Sequence, residues 1–184
     1  MATISQRRFS ATTSKLTLFL EYGTPGQRSL WVLPHSGPGP SNLATGSNDG
    51  VVRLWTLPQG EHGRELRGHE YAVTSLVFSP DSTVLASGGD DNTVRLWDPM
   101  SDEWRDTLAG YTRPVNSVQF SPSGEVLASA SADGMVHLWT KQGIYLHTLL
   151  LGRSLSHVLF SRDGTLLAVA AGDGTVWLWH VPKE

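Results

Sequence analysis

Short apolar runs, separated by turn residues, follow one another along most of the chain. Residues 73–80 (VTSLVFSP) and 115–122 (VNSVQFSP) are rich in β-branched residues and end at proline, which cannot continue a central ladder. Each is followed by a nearly continuous run of small apolar residues, which is typical of a strand covered on both faces. These runs predict paired strands.

A tight turn and a third strand follow each pair. Asp49-Gly50, Asp133-Gly134 and Asp173-Gly174 are dipeptides that tolerate the left-handed backbone of a short hairpin. The third strands read VVRLW, TVRLW, MVHLW and TVWLW, and the runs EWRDTL and IYLHTLL predict fourth, outer strands. The chain is therefore expected to be all-β.

The pattern repeats every 40 to 42 residues. Trp55, Trp97, Trp139 and Trp179 lie 42, 42 and 40 residues apart, and each is preceded six residues earlier by an aspartate. Fixed spacing held four times indicates four copies of one supersecondary unit, whose neighbours bury each other's faces.

Four strands per repeat, with glycine and an aromatic residue at fixed offsets, are the signature of a propeller blade. With Gly68-His69, the stretch FSPD at 78–81 and Trp97-Asp98, the sequence resembles the WD-repeat family of β-propellers. The resemblance covers about residues 41–181. It implies about four blades of four antiparallel strands each.

The resemblance also implies a buried hydrogen-bonded relay of Asp, His, Ser or Thr, and Trp within a blade. An indole N–H only donates, so it needs an acceptor when buried. A hydroxyl accepts from it and donates to an imidazole, whose other nitrogen donates to a carboxylate. The relay positions, repeat by repeat, are Thr45, Asp49 and Trp55; His69, Ser87, Asp91 and Trp97; Ser129, Asp133 and Trp139; and Asp173 and Trp179.

The whole set is present in the second repeat alone. Tyr111 stands at the histidine position of the third repeat, and the first repeat has no histidine in place. In the fourth repeat, Val169 replaces the hydroxyl and Arg153 lies near the histidine position. Because a lost buried partner costs about 1–3 kcal/mol, we expect a change at Ser87 to destabilise the chain more than one at Ser129.

The first 40 residues do not fit the repeat. Prolines 34, 38 and 40 make residues 34–42 a poor strand, and Ser29–Leu33 is the alternative first strand of the first repeat. We therefore treat residues 1–40 as an atypical N-terminal segment, either disordered or with one strand at 16–22 (LTLFLEY), and residues 41–184 as the propeller blades.

Closure of the ring is a separate question, because the last repeat stops at its third strand. Four blades with the geometry of seven-bladed rings span little more than half a circle. We therefore expect a partial, open arc, which is completed by another chain or copy or is a fragment of a larger ring. The alternative is a closed four-blade ring whose last blade receives the strand at 16–22.

Composition and charge narrow the function. The net charge of −3 gives no basic field for nucleic acid, and the absence of cysteine excludes disulfides and thiolate chemistry. No apolar run reaches the length of a membrane span, and the seven histidines form no ligand pair at helical spacing. We expect no metal, no cofactor, and neither nucleic acid nor membrane as a partner.

Ser87, His69 and Asp91 have the residue types of a catalytic triad. The same spacing recurs in repeats that lack the histidine, so these residues are assigned to the fold. No Gly-rich loop joins a strand to a helix, so there is no phosphate cradle. We therefore expect no enzymatic activity and name no catalytic residue.

Recognition of a partner is the remaining function. In WD propellers the loop with the Gly-His pair and the tight turn with the aspartate lie at the same rim, and Tyr and Arg dominate many interfaces. The candidate partner-binding residues are Asn48, Tyr71, Asp90, Tyr111, Arg113 and Arg153. The resemblance thus implies a non-catalytic scaffold or adaptor for protein partners. The alternative is a structural subunit whose exposed blade faces complete a larger propeller or a homo-oligomer.

We expect a cytoplasmic protein. The alternative is delivery to an organelle, because residues 1–20 hold Arg7, Arg8 and Lys15, seven Ser or Thr and no acidic residue. Such a composition is typical of transit peptides.

Overall fold

The computed structural model describes residues 29–32, 42–56, 61–101 and 104–181, and these ranges form four antiparallel sheets. Sheet 1 contains β1 (Ser29–Val32), β2 (Asn42–Ser47), β3 (Val51–Thr56) and β4 (Glu61–Arg67). Sheet 2 contains β5 (Val73–Phe78), β6 (Leu85–Gly89), β7 (Val94–Trp97) and β8 (Trp104–Leu108). Sheet 3 contains β9 (Val115–Phe120), β10 (Val126–Ser131), β11 (Met135–Thr140) and β12 (Tyr145–Leu150). Sheet 4 contains β13 (Leu155–Phe160), β14 (Leu166–Ala171) and β15 (Val176–His180).

Each sheet is a meander in which consecutive strands are hydrogen-bonded neighbours. The second and third strands pair in the same register from sheet to sheet. Leu85 lies opposite Trp97 in sheet 2, and Leu127 lies opposite Trp139 in sheet 3. The prediction of an all-β chain built from repeated four-stranded blades is therefore confirmed.

The tight turns between second and third strands contain a left-handed residue, as their sequences predict. Gly50, Gly134 and Gly174 have φ angles of 76°, 87° and 88°. Asn92 holds the same position in sheet 2 with φ 62°, which asparagine tolerates better than most residues. The preceding aspartates cap the turns, as when Val51 N–H donates to Asp49 Oδ1 over 3.0 Å.

Apolar clusters join each sheet to the next. Val94 and Leu96 of β7 form one cluster with Phe120, Leu127 and Trp139 of sheet 3. Equivalent clusters join sheet 1 to sheet 2 and sheet 3 to sheet 4. The Val and Leu of a third strand thus pack on the aromatic face of the following sheet, and this removal of apolar surface from water stabilises the fold.

The four sheets form an open arc. The inner strand β5 lies against β9, and β9 lies against β13. Sheet 4 has three strands among the described residues, and the strand at 16–22 that the closed-ring alternative requires lies outside them. In sheet 1, β1 occupies the position for which the sequence offered Ser29–Leu33, so this sheet begins before residue 41.

At the edge opposite the tight turns, a Ser-Pro-Asp turn joins the first two strands. In sheet 2, Ser79 Oγ donates to Asp81 Oδ1 over 2.7 Å and accepts from Val84 N–H over 3.0 Å. Lys141 of sheet 3 forms an ion pair with Asp81, so this edge also links neighbouring sheets. Among the residues described, no helix has the length and hydropathy needed to cross a bilayer.

Candidate interaction site

A buried hydrogen-bonded chain crosses sheet 2 from the indole to the tight turn. Trp97 Nε1 donates to Ser87 Oγ over 2.8 Å, and Ser87 Oγ lies 2.7 Å from His69 Nε2. His69 Nδ1 in turn lies 2.8 Å from Asp91 Oδ2. The structure thus brings together the four relay residues of the second repeat, in the order that the resemblance implies.

The relay in sheet 2 contains a neutral imidazole. Burial lowers the pKa of His69 by more than the charge of Asp91 raises it. In the neutral ring, Nδ1–H donates to Asp91 and Nε2 accepts from the hydroxyl of Ser87, so each donor has an acceptor. Burial alone would raise the pKa of Asp91, but hydrogen bonds from Thr93 and His69 hold it below the ordinary value.

The same residues are poorly placed for catalysis. Ser87 is fully buried, and its Oγ is already engaged by Trp97 and His69. A nucleophile must reach its substrate, and solvent-borne molecules cannot reach this hydroxyl. Across the described ranges, no group of three or more His, Asp or Glu side chains is placed to hold a metal ion.

Sheet 3 has a different relay, because Tyr111 replaces the histidine. Its hydroxyl is hydrogen-bonded to Ser129 Oγ, and Trp139 Nε1 lies 3.1 Å from both oxygens. Asp133 accepts from the backbone N–H of Thr112 over 2.9 Å. Burial raises the pKa of Tyr111, so the phenol remains protonated and available as a donor.

The burial of Tyr111 corrects one sequence-based assignment. Tyr111 was placed among the candidate partner-binding residues at the rim, but only 8% of it is exposed. Its hydroxyl is hydrogen-bonded inside the sheet, and it packs in the cluster between sheets 2 and 3. Tyr111 is therefore part of the relay of sheet 3 and does not offer a surface to a partner.

His137 is a buried residue of sheet 3 that sequence reasoning did not single out. Its Nδ1 lies 2.6 Å from Thr148 Oγ1, its Nε2 has no hydrogen-bond partner, and burial lowers its pKa. The ring packs edge-on against Tyr111, with centroids 4.7 Å apart. The sequence carried no signal for this burial, because Arg53 and Arg95 hold the same third-strand position in the first two repeats and arginine is mostly exposed.

Sheet 1 retains the first step of the relay. Trp55 Nε1 donates to Thr45 Oγ1 over 3.0 Å. The aspartate of its tight turn, Asp49, instead forms an ion pair with Arg53 over 2.8 Å. Burial alone would raise the pKa of Asp49, but hydrogen bonds from Arg53 and Val51 together hold it below its ordinary value.

Sheet 4 lacks a hydroxyl at the corresponding place. Val169 is fully buried there and packs with Trp179 in the cluster between sheets 3 and 4. Its tight-turn aspartate, Asp173, forms an ion pair with Arg153. The structure therefore leaves the residues of the fourth repeat without the hydrogen-bonded chain seen in sheet 2.

The tight turns and the loops that follow the outer strands share one edge of the arc, which we call the upper rim. Asp90 N–H donates to the carbonyl of Ala72 over 2.9 Å, and the equivalent bond recurs in sheets 3 and 4. The turn of sheet 3 also meets the following loop, because Gly134 O accepts from Leu151 N–H over 2.9 Å. The upper rim is thus a row of hydrogen-bonded loops held by the sheets below.

The other five candidate partner-binding residues are exposed at the upper rim: Asn48, Tyr71, Asp90, Arg113 and Arg153. Tyr71 is 62% exposed, which is high for a large aromatic residue. Charge is unevenly distributed along this edge. Glu70 and Asp90 flank Tyr71 on sheet 2, whereas the loops of sheets 3 and 4 carry Arg113 and Arg153.

One face of sheet 4 is not covered by a further sheet in the described part of the chain. Leu159, Val176 and Leu178 on this face are 49%, 59% and 65% exposed, and we call them the sheet 4 flank. The equivalent residues of β7, Val94 and Leu96, are 0% and 1% exposed because sheet 3 covers them. The flank is thus a surface of the type that a neighbouring sheet buries elsewhere in this molecule.

Comparison with known families gives a match along most of this fold. The family model described as "WD domain, G-beta repeat" matches residues 29–56, 60–98, 103–140 and 145–180. These four segments together cover more than half of the chain. The second, third and fourth segments each begin with the outer strand of one sheet (β4, β8 or β12) and continue through the first three strands of the next sheet.

Comparison with individual proteins gives shorter matches, each about one repeat long. The chain is 61% identical over 36 residues to "Mitochondrial division protein 1" of Eremothecium gossypii, which is 20% of this chain and 5% of that protein. It is 51% identical over 41 residues to "CCR4-associated factor 4" of Saccharomyces cerevisiae, which is 22% of this chain and 6% of that protein. The chain thus matches about one twentieth of the length of these curated relatives.

Proposed function

Because the chain belongs to the WD-repeat family, we propose that it is a non-catalytic scaffold or adaptor that binds a protein partner through its upper rim. The observation that carries this proposal is the row of exposed loops whose backbones are already hydrogen-bonded to each other. Loops fixed before binding lose little conformational entropy when a partner arrives.

The chemistry of the upper rim supports a protein partner. Exposed Tyr71 offers a large amphipathic contact, and Arg113 offers a planar donor group, which are the two residue types most often dominant at protein interfaces. The acidic pair Glu70 and Asp90 beside Tyr71 disfavours a polyanion at this place. We infer that neither nucleic acid nor membrane is the partner.

The test compares rim variants with a control on the opposite edge. Proteins captured by the immobilised chain are identified by mass spectrometry, and each purified candidate is titrated by calorimetry. We expect Tyr71→Ala or Arg113→Ala to weaken binding at least about tenfold. Arg162→Ala, which removes the same charge from an exposed Ser-Arg-Asp turn at the other edge, should leave affinity unchanged. Equal losses in all three variants would contradict the use of the upper rim.

A second candidate function is that of a structural subunit, and the sheet 4 flank favours it. In this reading the exposed Val176 and Leu178 are covered by a blade from another chain or another copy, which extends the arc. Leu178→Lys should then abolish the assembly, as measured by sedimentation velocity, and leave the upper rim intact. Assembly that survives Leu178→Lys would exclude the flank.

We also propose a cytoplasmic location. The relatives named for mitochondrial division or for association with CCR4 match about one repeat, so their names are not transferred to this chain. Deleting residues 1–20 from a fluorescently tagged chain tests the alternative of organelle delivery. The proposal predicts that the cellular distribution does not change, and relocation from an organelle to the cytosol would overturn it.

A further inference from the structure

The outer strand of sheet 3 lacks the charges that the other described outer strands carry. β4 contains two glutamates and two arginines, and β8 contains Arg105 and Asp106. β12 contains no Asp, Glu, Lys or Arg. The residues on either side of it, Ile144 and Leu151, are also uncharged. Charges on an edge strand discourage pairing with strands of other molecules. β12 therefore lacks this protection.

The same stretch has large apolar side chains that are exposed to solvent to an unusual degree. Ile144, Tyr145, Leu146 and Leu150 are 65%, 53%, 48% and 70% exposed. β12 is the terminal strand of sheet 3, and no described strand pairs with its outer side. All three outer strands have a register shift at the same place, so the irregularity does not distinguish β12 from the others. The absence of charge and the exposure of its apolar side chains distinguish β12 from the other outer strands.

We propose that β12 is a dimerisation edge, which pairs antiparallel with β12 of a second copy of this chain. Antiparallel pairing of a strand with its own copy is twofold symmetric, so the contact closes as a dimer and does not propagate. The new backbone hydrogen bonds join the two edges, and exposed leucines of both copies are withdrawn from water.

The second copy is favoured over other occupants by charge. β12 has no Asp, Glu, Lys or Arg, so its own copy can pair with it in any register without bringing like charges together. β4 and β8 carry charges of both signs, so their self-pairing avoids like-charge contacts only in particular registers. An uncharged edge also offers no ion pair to a charged segment. The partner strand must itself be exposed and uncharged, and β12 of a second copy meets both conditions.

The sheet 4 flank is a less suitable surface for a twofold contact. Between sheets 2 and 3, the Val and Leu of β7 pack on a face that carries Phe120 and Trp139. A twofold pairing of two flanks would place Val176 and Leu178 against their own copies and would supply no aromatic face. The sheet 4 flank is therefore suited to a sheet with an aromatic face, whereas the β12 edge can pair with β12 of a second copy.

The proposal is independent of binding at the upper rim, and sedimentation equilibrium of the full chain tests it. We expect a dimer at chain concentrations of about 10–100 μM. The double variant Leu146→Lys/Leu150→Lys should weaken dimerisation at least about tenfold, because it adds four positive charges to the joined edges. The control is Ala109→Lys. Ala109 is the residue after β8 and occupies the position in sheet 2 that Leu150 occupies in sheet 3. This variant should dimerise as the unmodified chain does.

Three further results are decisive. A monomeric unmodified chain would overturn the proposal, and so would a dimer that Leu178→Lys abolishes but the double variant does not. If the double variant fails to fold, as judged by circular dichroism, Leu150→Lys alone is used, because Leu150 is the most exposed of the four residues. In the unmodified chain, amide exchange of β12 should slow with increasing concentration, and exchange that does not change would count against the dimer.

Discussion

Sheets 2 and 3 pair their strands in the same register but satisfy their buried polar groups in two ways. In sheet 2 the indole of Trp97, the hydroxyl of Ser87, the ring of His69 and the carboxylate of Asp91 form one linear chain. In sheet 3 the indole of Trp139 lies within reach of two hydroxyl groups at once, and the carboxylate accepts from backbone groups.

This contrast shows how a repeat tolerates the absence of a histidine at this position. In the linear chain, Ser87 Oγ is the acceptor of the Trp97 indole and the partner of His69 Nε2, so its removal leaves both groups without a hydrogen bond. A branched arrangement gives the indole an alternative acceptor. Tyr111 also fills the space between the sheets with an aromatic ring, so the substitution retains apolar burial.

The largest expected effect comes from the two tight-turn aspartates. The side chain of Asp91 is 5% exposed and accepts from His69, Glu70 N–H and Thr93, whereas Asp133 accepts from two backbone N–H groups. We expect Asp91→Ala to lower the free energy of unfolding by about 3 kcal/mol and Asp133→Ala by about 1 kcal/mol. Urea unfolding of both variants measures the difference. Equal losses would show that the linear relay has no special dependence on its carboxylate.

A smaller difference separates the two relay serines. Ser87→Ala leaves the Trp97 indole and the Nε2 atom of His69 without their hydrogen-bond partner, and we expect a loss of about 2 kcal/mol. Ser129→Ala leaves the indole of Trp139 bonded to the Tyr111 hydroxyl, and a loss of about 1 kcal/mol follows. Thermal unfolding of the two variants decides the point. A loss at Ser129 that equals the loss at Ser87 would mean that the second acceptor does not compensate.

The repeated strands of the fold followed from spacing in the sequence. The relay of sheet 2 followed from the resemblance to the WD-repeat family, which implies these four residue types in this order. Aspartate and tryptophan recur at fixed offsets, and the register of β6 with β7 follows from the short turn between them. The upper rim followed from the same resemblance, because in WD propellers the loop with the Gly-His pair and the tight turn lie at the same rim.

The buried hydrogen bonds of sheet 3 could not be predicted from the sequence, for a physical reason. Tyrosine is common both at exposed rims and in buried hydrogen-bonded sites, so its type does not decide its place. Tyr111 was assigned to the rim because tyrosine is frequent at protein interfaces, but its hydroxyl takes the position of the imidazole nitrogen beside Ser129. The sequence placed IYLHTLL on an outer strand, but the exposure of β12 depends on what packs beside it, which the pattern along one strand does not show.

The pH dependence of stability tests the same comparison of sheets 2 and 3, because it depends on the two buried histidines. Burial lowers the pKa of both His69 and His137 in the folded chain below the ordinary value of 6.5, so the unfolded chain binds protons more readily. The stability that these neutral rings contribute is complete above about pH 6.5 and is lost as the pH falls towards their folded pKa values. We expect a smaller fall in the urea midpoint between about pH 7.5 and pH 5.5 for His137→Gln than for the unmodified chain.

His69 remains in that variant and provides the internal reference. Its protonated ring would still face Asp91, whereas the nearest hydrogen-bond partner of His137 is the hydroxyl of Thr148. If the pH dependence is unchanged in His137→Gln, the acid sensitivity comes from other groups. His137 then does not contribute to the difference between the two sheets.

The smallest expected effect is that of the Tyr111 hydroxyl itself. Tyr111→Phe keeps the ring between sheets 2 and 3 and removes one hydrogen-bonding oxygen. The indole of Trp139 keeps Ser129 Oγ as its acceptor at 3.1 Å, and Ser129 keeps the carbonyl of His137 as an acceptor at 3.1 Å. No buried group loses its last partner, so we expect a loss below about 1 kcal/mol in urea unfolding. A loss as large as that of Ser87→Ala would mean that the phenol is as indispensable to sheet 3 as the imidazole is to sheet 2, and the two relays would then differ in composition but not in tolerance.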